Sequence, residues 1–307
     1  MHPYDFCNQQ IHKKAMNILT FDIEEWFLEK NCFGNRKEKY QAFDHSLNLI
    51  LDNLEREQKK ATFFCVGGMA REFPEVVRRI TDKGHEIGCH SDKHVWLTKL
   101  SEKELLSDTK IAIESLEQCV GKKVISYRAP AFSIGNGNKW AFEILAECGI
   151  KRDASIFPAT RDFGGFANFG QKTPSIVRCG GVEIKEFPIC TVHIVGKEMA
   201  YSGGGYFRFF PLWFVKKEMS KSNYAMTYFH IDDLIPESER MMTKEEFEDY
   251  FKEPGTFFNR YKRHIKSNLG KKNAFNKMTK LITAYQFQSL NSADKLIEWQ
   301  NAPVVEL

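Results

Sequence analysis

Short apolar segments alternate with amphipathic helical segments through most of the 307 residues, and this alternation constrains the fold more than any other feature. Strands separated by helices form a largely parallel sheet with helices packed outside it, so the chain is predicted to be an α/β protein. A barrel and a doubly wound sheet both satisfy the pattern. The predicted strands are 17–21, 61–66, 85–89, 124–127, 150–154, 182–187 and 225–229.

Capping residues mark several predicted helices between these strands. Pro74 suits the first turn of a helix over 74–83. Ser101 and Glu104 form a capping-box pattern that starts a helix running to about residue 119. Gly149 ends the next helix. The remaining predicted helices are 46–58, 139–148 and 211–221.

Beyond residue 235 the chain is helical and charged, and then aromatic and basic. We therefore expect one main domain over residues 1–240 and a C-terminal extension over 241–307 packed on it. Within this part, residues 254–293 contain no acidic residue and eight basic ones. Such a stretch can bind anionic lipid at the inner membrane leaflet or a phosphorylated substrate, or it can be a solvated helical face.

Composition excludes several classes of protein. With 42% hydrophobic and 27% charged residues, the chain is of ordinary globular type. A formal net charge of +4 is mild, and no paired zinc-finger cysteines occur, so nucleic acid is not an expected partner. No stretch of eighteen apolar residues is present, and the first seven residues lack the pattern of a secretory signal. These features predict a cytoplasmic protein.

The cysteines agree with that location. They are scattered without a CxxC pair, and several lie in apolar runs, which is typical of reduced thiols rather than of a disulfide framework. The eight cysteines are Cys7, Cys32, Cys65, Cys89, Cys119, Cys148, Cys179 and Cys190.

A pair of histidines four residues apart, His90 and His94, follows the predicted third strand. One turn of chain at that spacing can aim both imidazoles at one ion, and a carboxylate would complete a three-ligand site with an open position. Asp22 and Glu24 follow the first strand, and alternation in an extended chain places their side chains on one face. Glu24 is therefore the predicted third ligand, with Glu25 in reserve.

Other polar residues follow later strands, at the face on which parallel barrels build active sites. Arg128 and Pro130 follow the fourth strand, Asp153 lies in the fifth, and His230 follows the last. If these residues converge, a metal held by Glu24, His90 and His94 would polarise an acyl carbonyl and activate water. Asp22 would accept the proton of that water, and His230 would donate one to the departing amine.

These motifs, in this order, resemble the NodB-homology polysaccharide deacetylases, carbohydrate esterase family 4. The resemblance covers residues 17–235 and implies a distorted (β/α) barrel. It implies that Asp22 is the catalytic base, that His90 and His94 bind metal, and that Arg128 orients the base. It further implies that the Ala131 backbone amide binds the oxyanion. Asp153 would tune the general acid, His230.

The first motif departs from the family pattern at Ile23, where many members carry a second aspartate as metal ligand. Glu24 substitutes for it on the alternation argument. The set of one carboxylate and two histidines accepts Zn, Co, Fe and Ni, and zinc is the expected ion. Segment 202–208 and the tail resemble the family branch found with bacterial exopolysaccharide and surface-glycan loci.

Aromatic residues near these motifs have two interpretations. Trp26, Phe132, Tyr206 and Phe207 either stack on a sugar ring or fill the barrel. Phe132 and Tyr206, with Ala131, are the predicted substrate and oxyanion residues. The glycines at 203–205 lack the lysine of a phosphate-binding loop, so a turn that allows close backbone approach is the simpler interpretation.

The predicted activity is metal-dependent removal of an acetyl group from the nitrogen of an N-acetylated sugar in bacterial surface-polysaccharide biosynthesis. The expected substrates are a nucleotide sugar or a lipid-linked glycan at the inner membrane. One alternative is hydrolysis of a cyclic amide or imide on the same fold. Another is a glycan-binding module with a decayed site, which Ile23 alone supports.

Overall fold

The computed structural model describes residues 15–28, 36–161, 164–238, 240–251 and 253–307. Cys7, Cys32 and the N-terminal segment used to predict the location lie outside these residues. The described strands are β1 Met16–Ile23, β2 Thr62–Cys65, β3 Glu86–Cys89, β4 Ser126–Tyr127, β5 Arg152–Asp153, β6 Ser175–Cys179, β7 Val182–Glu186, β8 Thr191–Ile194, β9 Lys197–Ala200, β10 Tyr224–His230, β11 Phe287–Gln288 and β12 Val304–Glu306.

The helices alternate with these strands as the sequence pattern predicted, and Ser101 and Glu104 form the expected capping box. The described helices are α1 Glu25–Leu28, α2 Arg36–Arg56, α3 Gly67–Glu72, α4 Pro74–Asp82, α5 Glu102–Val120, α6 Ala141–Glu147, α7 Gly204–Phe209, α8 Leu212–Ser220, α9 Lys244–Phe251, α10 Phe257–Asn268, α11 Lys271–Ala284 and α12 Leu290–Asp294. Within the described ranges, no helix is both long and apolar enough to span a bilayer.

Ten strands form one sheet in the order β10-β1-β2-β3-β4-β5-β7-β6-β12, with β11 paired beside β1. All its pairings are parallel except that of β6 with β7. The Arg128 side chain, which follows β4, contacts Asp22 on β1 and Met226 on β10. One side chain reaches these separate strands only because the sheet curls into a distorted barrel. The predicted α/β barrel is confirmed.

The C-terminal residues are more closely integrated than an extension packed on a barrel. β11 pairs with β1, and β12 pairs with β6 at the far end of the sheet. The Glu86 carboxylate accepts hydrogen bonds from the Asn291 amide at 2.7 Å and from Thr62 Oγ1 at 2.7 Å. It also pairs with Arg152 at 3.0 Å. The tail therefore closes the amino-terminal end of the barrel, and the domain division at residue 240 stays a prediction.

The helical, basic character predicted for the tail is present, but part of its charge serves internal contacts. Lys271 is buried and pairs with Asp232 at 2.9 Å. Lys277 donates hydrogen bonds to the carbonyl oxygens of Phe207 and Phe210. Cys89 is a buried core thiol, and the six cysteines in the described residues are free.

His85 is a structural residue at the amino-terminal end of β3, and its burial makes the stability of the fold depend on pH. Its Nδ1 accepts a hydrogen bond from the Ala61 amide at 3.3 Å, which requires the neutral ring. Burial, and then the nearby Lys60, lower the pKa of His85 to about 4. The unfolded chain takes up a proton below the ordinary pKa of about 6.5, before the folded chain does.

Stability that depends on neutral His85 is therefore complete above about pH 6.5 and is lost as the pH falls towards 4. We expect the wild type to lose about 2 kcal/mol more unfolding free energy than His85→Gln between about pH 7.5 and pH 5. Urea unfolding at both pH values measures this difference. His193→Gln removes an exposed histidine and is the matched control. Equal losses in wild type and His85→Gln would contradict the prediction.

Candidate active site

Asp22 and His230 lie side by side at the carboxyl ends of two neighbouring strands. β1 and β10 pair in parallel with Asp22 in register with His230. Asp22 is buried, and its Oδ2 lies 3.8 Å from His230 Nε2. Glu24 follows β1 directly, and its Oε1 also lies 3.8 Å from His230 Nε2. The register of the central strands therefore brings the predicted base, ligand and acid together.

The two histidines are held by a tight turn after β3. Ser91 and His94 have positive φ values of 62° and 56°, and the His94 amide donates a hydrogen bond to Ser91 Oγ at 2.8 Å. The amides of Asp92 and Lys93 donate to the Asp108 carboxylate. One bond within the turn and two to Asp108 on α5 therefore hold the segment that carries both imidazoles.

Glu24, His90 and His94 form a cluster that fits a metal ion. The Glu24 Oε2 atom lies 2.7 Å from His94 Nε2 and 3.2 Å from His90 Nε2, and the donor atoms all lie within 4.8 Å of one another. His90 Nδ1 lies 2.7 Å from the carbonyl oxygen of Arg128, to which it can only donate. The lone pair of His90 is therefore on Nε2, which faces Glu24.

Glu24 is ionised, as a carboxylate ligand of a metal ion must be. Burial alone would raise its pKa, but His94 and His230 hold the pKa of this carboxyl well below its usual value. The reserve candidate, Glu25, differs. Burial and the neighbouring Glu24 raise the pKa of Glu25 to about 8. Its carboxyl accepts hydrogen bonds from the amides of Asp232 and Glu24, so it stabilises the backbone here.

Arg128 supports the candidate base from inside the barrel. Its Nη1 donates hydrogen bonds to Asp22 Oδ1 and to Thr20 Oγ1, each at 2.7 Å, and its Nε donates to the Ala154 carbonyl oxygen at 3.1 Å. The whole side chain is buried. These bonds leave Oδ2 of Asp22 directed towards His230.

The carboxylate that bonds the His230 ring differs from the one predicted. His230 Nδ1 lies 3.0 Å from Asp233 Oδ2, and Arg208 Nε pairs with Asp233 Oδ1 at 2.9 Å. Asp153, predicted to tune His230, accepts hydrogen bonds from Ser155 instead. Burial raises the pKa of Asp153.

The reason for the difference is the position of each residue around the barrel. Asp153 lies on β5, on the other side of β4 from the site strands, whereas Asp233 lies in the single turn that follows β10. The spacing of three residues between His230 and Asp233 was the sequence pattern that could have identified it, because a helical turn brings such residues together. Arg208 had no local sequence indication.

The three predicted substrate and oxyanion residues, Ala131, Phe132 and Tyr206, differ in how exposed they are and in what they contact. Ala131 has a positive φ of 54°, and no acceptor within the described part of the chain engages its N–H. Arg161 donates a hydrogen bond to the Ala131 carbonyl oxygen at 3.0 Å, which holds the following peptide, between Ala131 and Phe132. Phe132 is buried edge-on against Tyr228 at 5.0 Å. Tyr206 is partly exposed beside Phe157.

Two other groups considered for substrate binding belong to the core. Trp26 and Phe207 are each only 1% exposed, so they fill the interior. Gly203 bridges to Tyr228 on β10, where a Cβ atom would overlap the Tyr228 backbone. The absence of a side chain thus permits close approach to a strand rather than to a phosphate.

Comparison with known proteins finds two families, each matched by just under half of the chain. Residues 11–152 match the polysaccharide deacetylase family, and residues 154–295 match a domain of unknown function, DUF3473. A peptidoglycan-N-acetylglucosamine deacetylase of Bacillus cereus is 36% identical over 154 residues, which cover 46% of this chain and 56% of that protein. A peptidoglycan-N-acetylmuramic acid deacetylase of Bacillus subtilis is 29% identical over 124 residues, covering 38% of this chain and 45% of the relative.

The chain therefore spans about half the length of these curated relatives. A solved structure from Mycobacterium smegmatis, assigned as a polysaccharide deacetylase, covers 100% of this chain and 97% of its own length. It superposes with a TM-score of 0.64 at 16% identity, a likeness of fold alone. The family match and the relatives therefore indicate a polysaccharide deacetylase domain of the NodB-homology type within residues 11–152, and the solved structure shares the fold of the chain.

Proposed function

We propose that the protein is a metal-dependent N-deacetylase that hydrolyses the acetamido group of an N-acetylated sugar. The observation that carries this proposal is the convergence of Glu24, His90 and His94, with Asp22 and His230 directly beside them. An acid, a base and an open metal site are the parts that amide hydrolysis requires, because an amine departs poorly unless it is protonated.

Glu24, His90 and His94 would hold one divalent ion, with zinc the expected species and Co, Fe or Ni also suited to this donor set. The bound ion would supply Lewis acidity to the attacking water and to the acyl oxygen. The other functions fall to the protein. The hydrogen bond from His90 to the Arg128 carbonyl keeps the ring oriented and its Nε2 available.

The reaction is then attack of the water oxygen on the acyl carbon, which forms a C–O bond, followed by cleavage of the C–N bond, with proton transfers to and from fixed groups. Asp22 Oδ2 accepts a proton from water, while Arg128 holds the other carboxylate oxygen. The Ala131 N–H donates to the oxyanion that develops on the acyl group. His230, positioned by Asp233, donates a proton to the sugar nitrogen as the C–N bond breaks. Acetate and a free amine are the products.

For the substrate we propose an N-acetylated glycan of the bacterial cell surface, presented as a polymer fragment, a nucleotide sugar or a lipid-linked glycan. The names of the relatives support the sugar class, since both act on N-acetylated sugars of peptidoglycan. The branch associated with exopolysaccharide, capsule or O-antigen biosynthesis rests on the resemblance of segment 202–208 and the tail.

Acetate release tests the metal site directly. Purified protein is incubated with peptidoglycan fragments, N-acetylated nucleotide sugars and lipid-linked glycans, with and without chelator, and metal content is measured by mass spectrometry. We expect chelator to stop release and added metal to restore it. His94→Ala should lose bound metal and more than about a hundredfold in kcat/KM. Even the loss of a residue that only hydrogen-bonds a metal ligand lowers activity by up to about a hundredfold.

Asp22→Asn should retain metal but lose about 10²–10⁴-fold in kcat, because it removes the base and leaves the ligands in place. His85→Gln is the control, since this histidine lies at the opposite end of β3 from the site. No acetate from any substrate, together with no stoichiometric metal, would refute the proposed function.

A second prediction separates the two aspartates considered as the partner of His230. Asp233→Asn should lower kcat by about a hundredfold or more with little change in metal content, because it removes the carboxylate that orients the acid. Asp153→Asn should have the smaller effect on kcat, since its carboxyl bonds Ser155. A larger kcat loss in Asp153→Asn, with both variants equally stable to urea, would assign the tuning role to Asp153 after all.

A further inference from the structure

We propose that helix α10 and the adjoining turn between α7 and α8 form a surface that docks onto an anionic lipid bilayer. We call it the α10 surface, and its apolar residues are Phe257, Phe258, Tyr261, Ile265, Leu269, Phe209 and Trp213. The proposal goes beyond the deacetylase reaction and stands on exposure, position and charge.

The apolar face of α10 is unpartnered within the described residues. No residue of this helix is buried, and Phe257 and Phe258 are 65% and 70% exposed. Tyr261, Ile265 and Leu269 are each nearly half exposed. At 100° per residue, these five side chains span about 120° of the helix circumference. Large apolar side chains contiguous over three turns are uncommon on a surface exposed only to water.

A second segment with exposed aromatic residues adjoins the end of α10. Arg208, in the last turn of α7, donates hydrogen bonds to the carbonyl oxygens of Lys266 and Ser267 at the end of α10. The next residue, Phe209, is 60% exposed, and Trp213 at the start of α8 is 65% exposed. Aromatic side chains of this kind partition into the interface between lipid headgroups and acyl chains.

The lysines beside the apolar face indicate that the docking partner is negatively charged. Lys262 and Lys266 each follow an apolar residue by one position, so they border the face along one side. In the described part of the chain, no ion pair engages the ammonium groups of Lys262, Lys266 or Lys272. An amphipathic helix with apolar residues beside lysines is typical of proteins that lie on anionic membranes.

Four acidic residues occur on the neighbouring helix α9, and internal contacts engage two of them. Glu246 pairs with Arg240, and Glu248 accepts a hydrogen bond from the Gly255 amide. The segment 254–293 itself has no acidic residue. Its eight basic residues complement a bilayer that contains acidic lipid.

The surface is also close to the candidate active site. Arg208 bonds the end of α10 on one side and Asp233 on the other, and Asp233 bonds His230. Given the proposed function, a protein docked through α10 would hold its catalytic acid within a few side chains of the membrane. A glycan attached to lipid would then be presented near the site.

Vesicle flotation tests the docking without any substrate, so its outcome is independent of the deacetylase activity. The full chain is mixed with vesicles of pure phosphatidylcholine, or with vesicles in which about a third of the lipid is phosphatidylglycerol. We expect binding to the acidic vesicles only, and weaker binding when salt rises from about 0.05 M to about 0.5 M.

Two double variants separate the apolar and charged contributions. Phe258→Ser/Ile265→Ser should lower partitioning at least about tenfold, because two interfacial side chains are lost. Lys262→Gln/Lys266→Gln should lower it by about thirtyfold at low salt, which corresponds to about 1 kcal/mol per lysine. The matched controls, Leu49→Ser/Ile111→Ser and Lys103→Gln/Lys122→Gln, change exposed residues on other elements and should bind as the wild type does.

Three results would overturn the proposal: no binding of the wild type to acidic vesicles, equal binding of the α10 variants and wild type, or a wild-type dimer that Phe258→Ser/Ile265→Ser converts to monomer. The last would assign the surface to a second copy of the chain. All variants should retain acetate release from a short water-soluble N-acetylated oligosaccharide, which separates loss of docking from loss of activity.

Discussion

The buried pair of Arg128 and Asp22 is the interaction on which the structure depends. The guanidinium is completely buried and reaches oxygen atoms on β1 and after β5, as well as the sulfur of Met226 on β10. A charge in that position is tolerated only when it is paired and hydrogen-bonded, and removal of one partner costs about 3–5 kcal/mol. Those partners meet only inside a curled sheet, so the pair and the barrel require each other.

The same residue connects the base to the metal cluster. Its side chain holds Asp22, while its backbone carbonyl accepts the hydrogen bond of His90. A shift of the loop after β4 would therefore disturb both the candidate base and a candidate ligand. Glu25 has a comparable role on the other side, since its carboxyl holds the Asp232 amide in the turn that carries Asp233. Residues outside the reaction thus set the geometry of those inside it.

Local periodicity in the sequence was sufficient to predict the central strands of the sheet but not its outer strands. The alternation of apolar and polar residues predicted the central strands within a few residues. It also placed Asp22 and Glu24 on one face, and in the structure each has a carboxylate oxygen 3.8 Å from His230 Nε2. It did not predict β6, the β8–β9 hairpin, or strands β11 and β12. Those strands are short, partly exposed, or paired with distant segments, so their stability comes from neighbours rather than from their own residues.

The sequence by itself determined the central strands and helices, the resemblance to the polysaccharide deacetylases, and the residues that stand at the carboxyl ends of those strands. These features are local, because the periodicity of strands and helices and the short motifs depend on residues close together in the sequence. The tertiary structure alone decided which of those residues meet. It gave His230 the carboxylate of Asp233 rather than Asp153, and it joined α10 to the site through Arg208. The angular position of a residue around the barrel depends on sheet curvature and register over the whole chain, which no local pattern specifies.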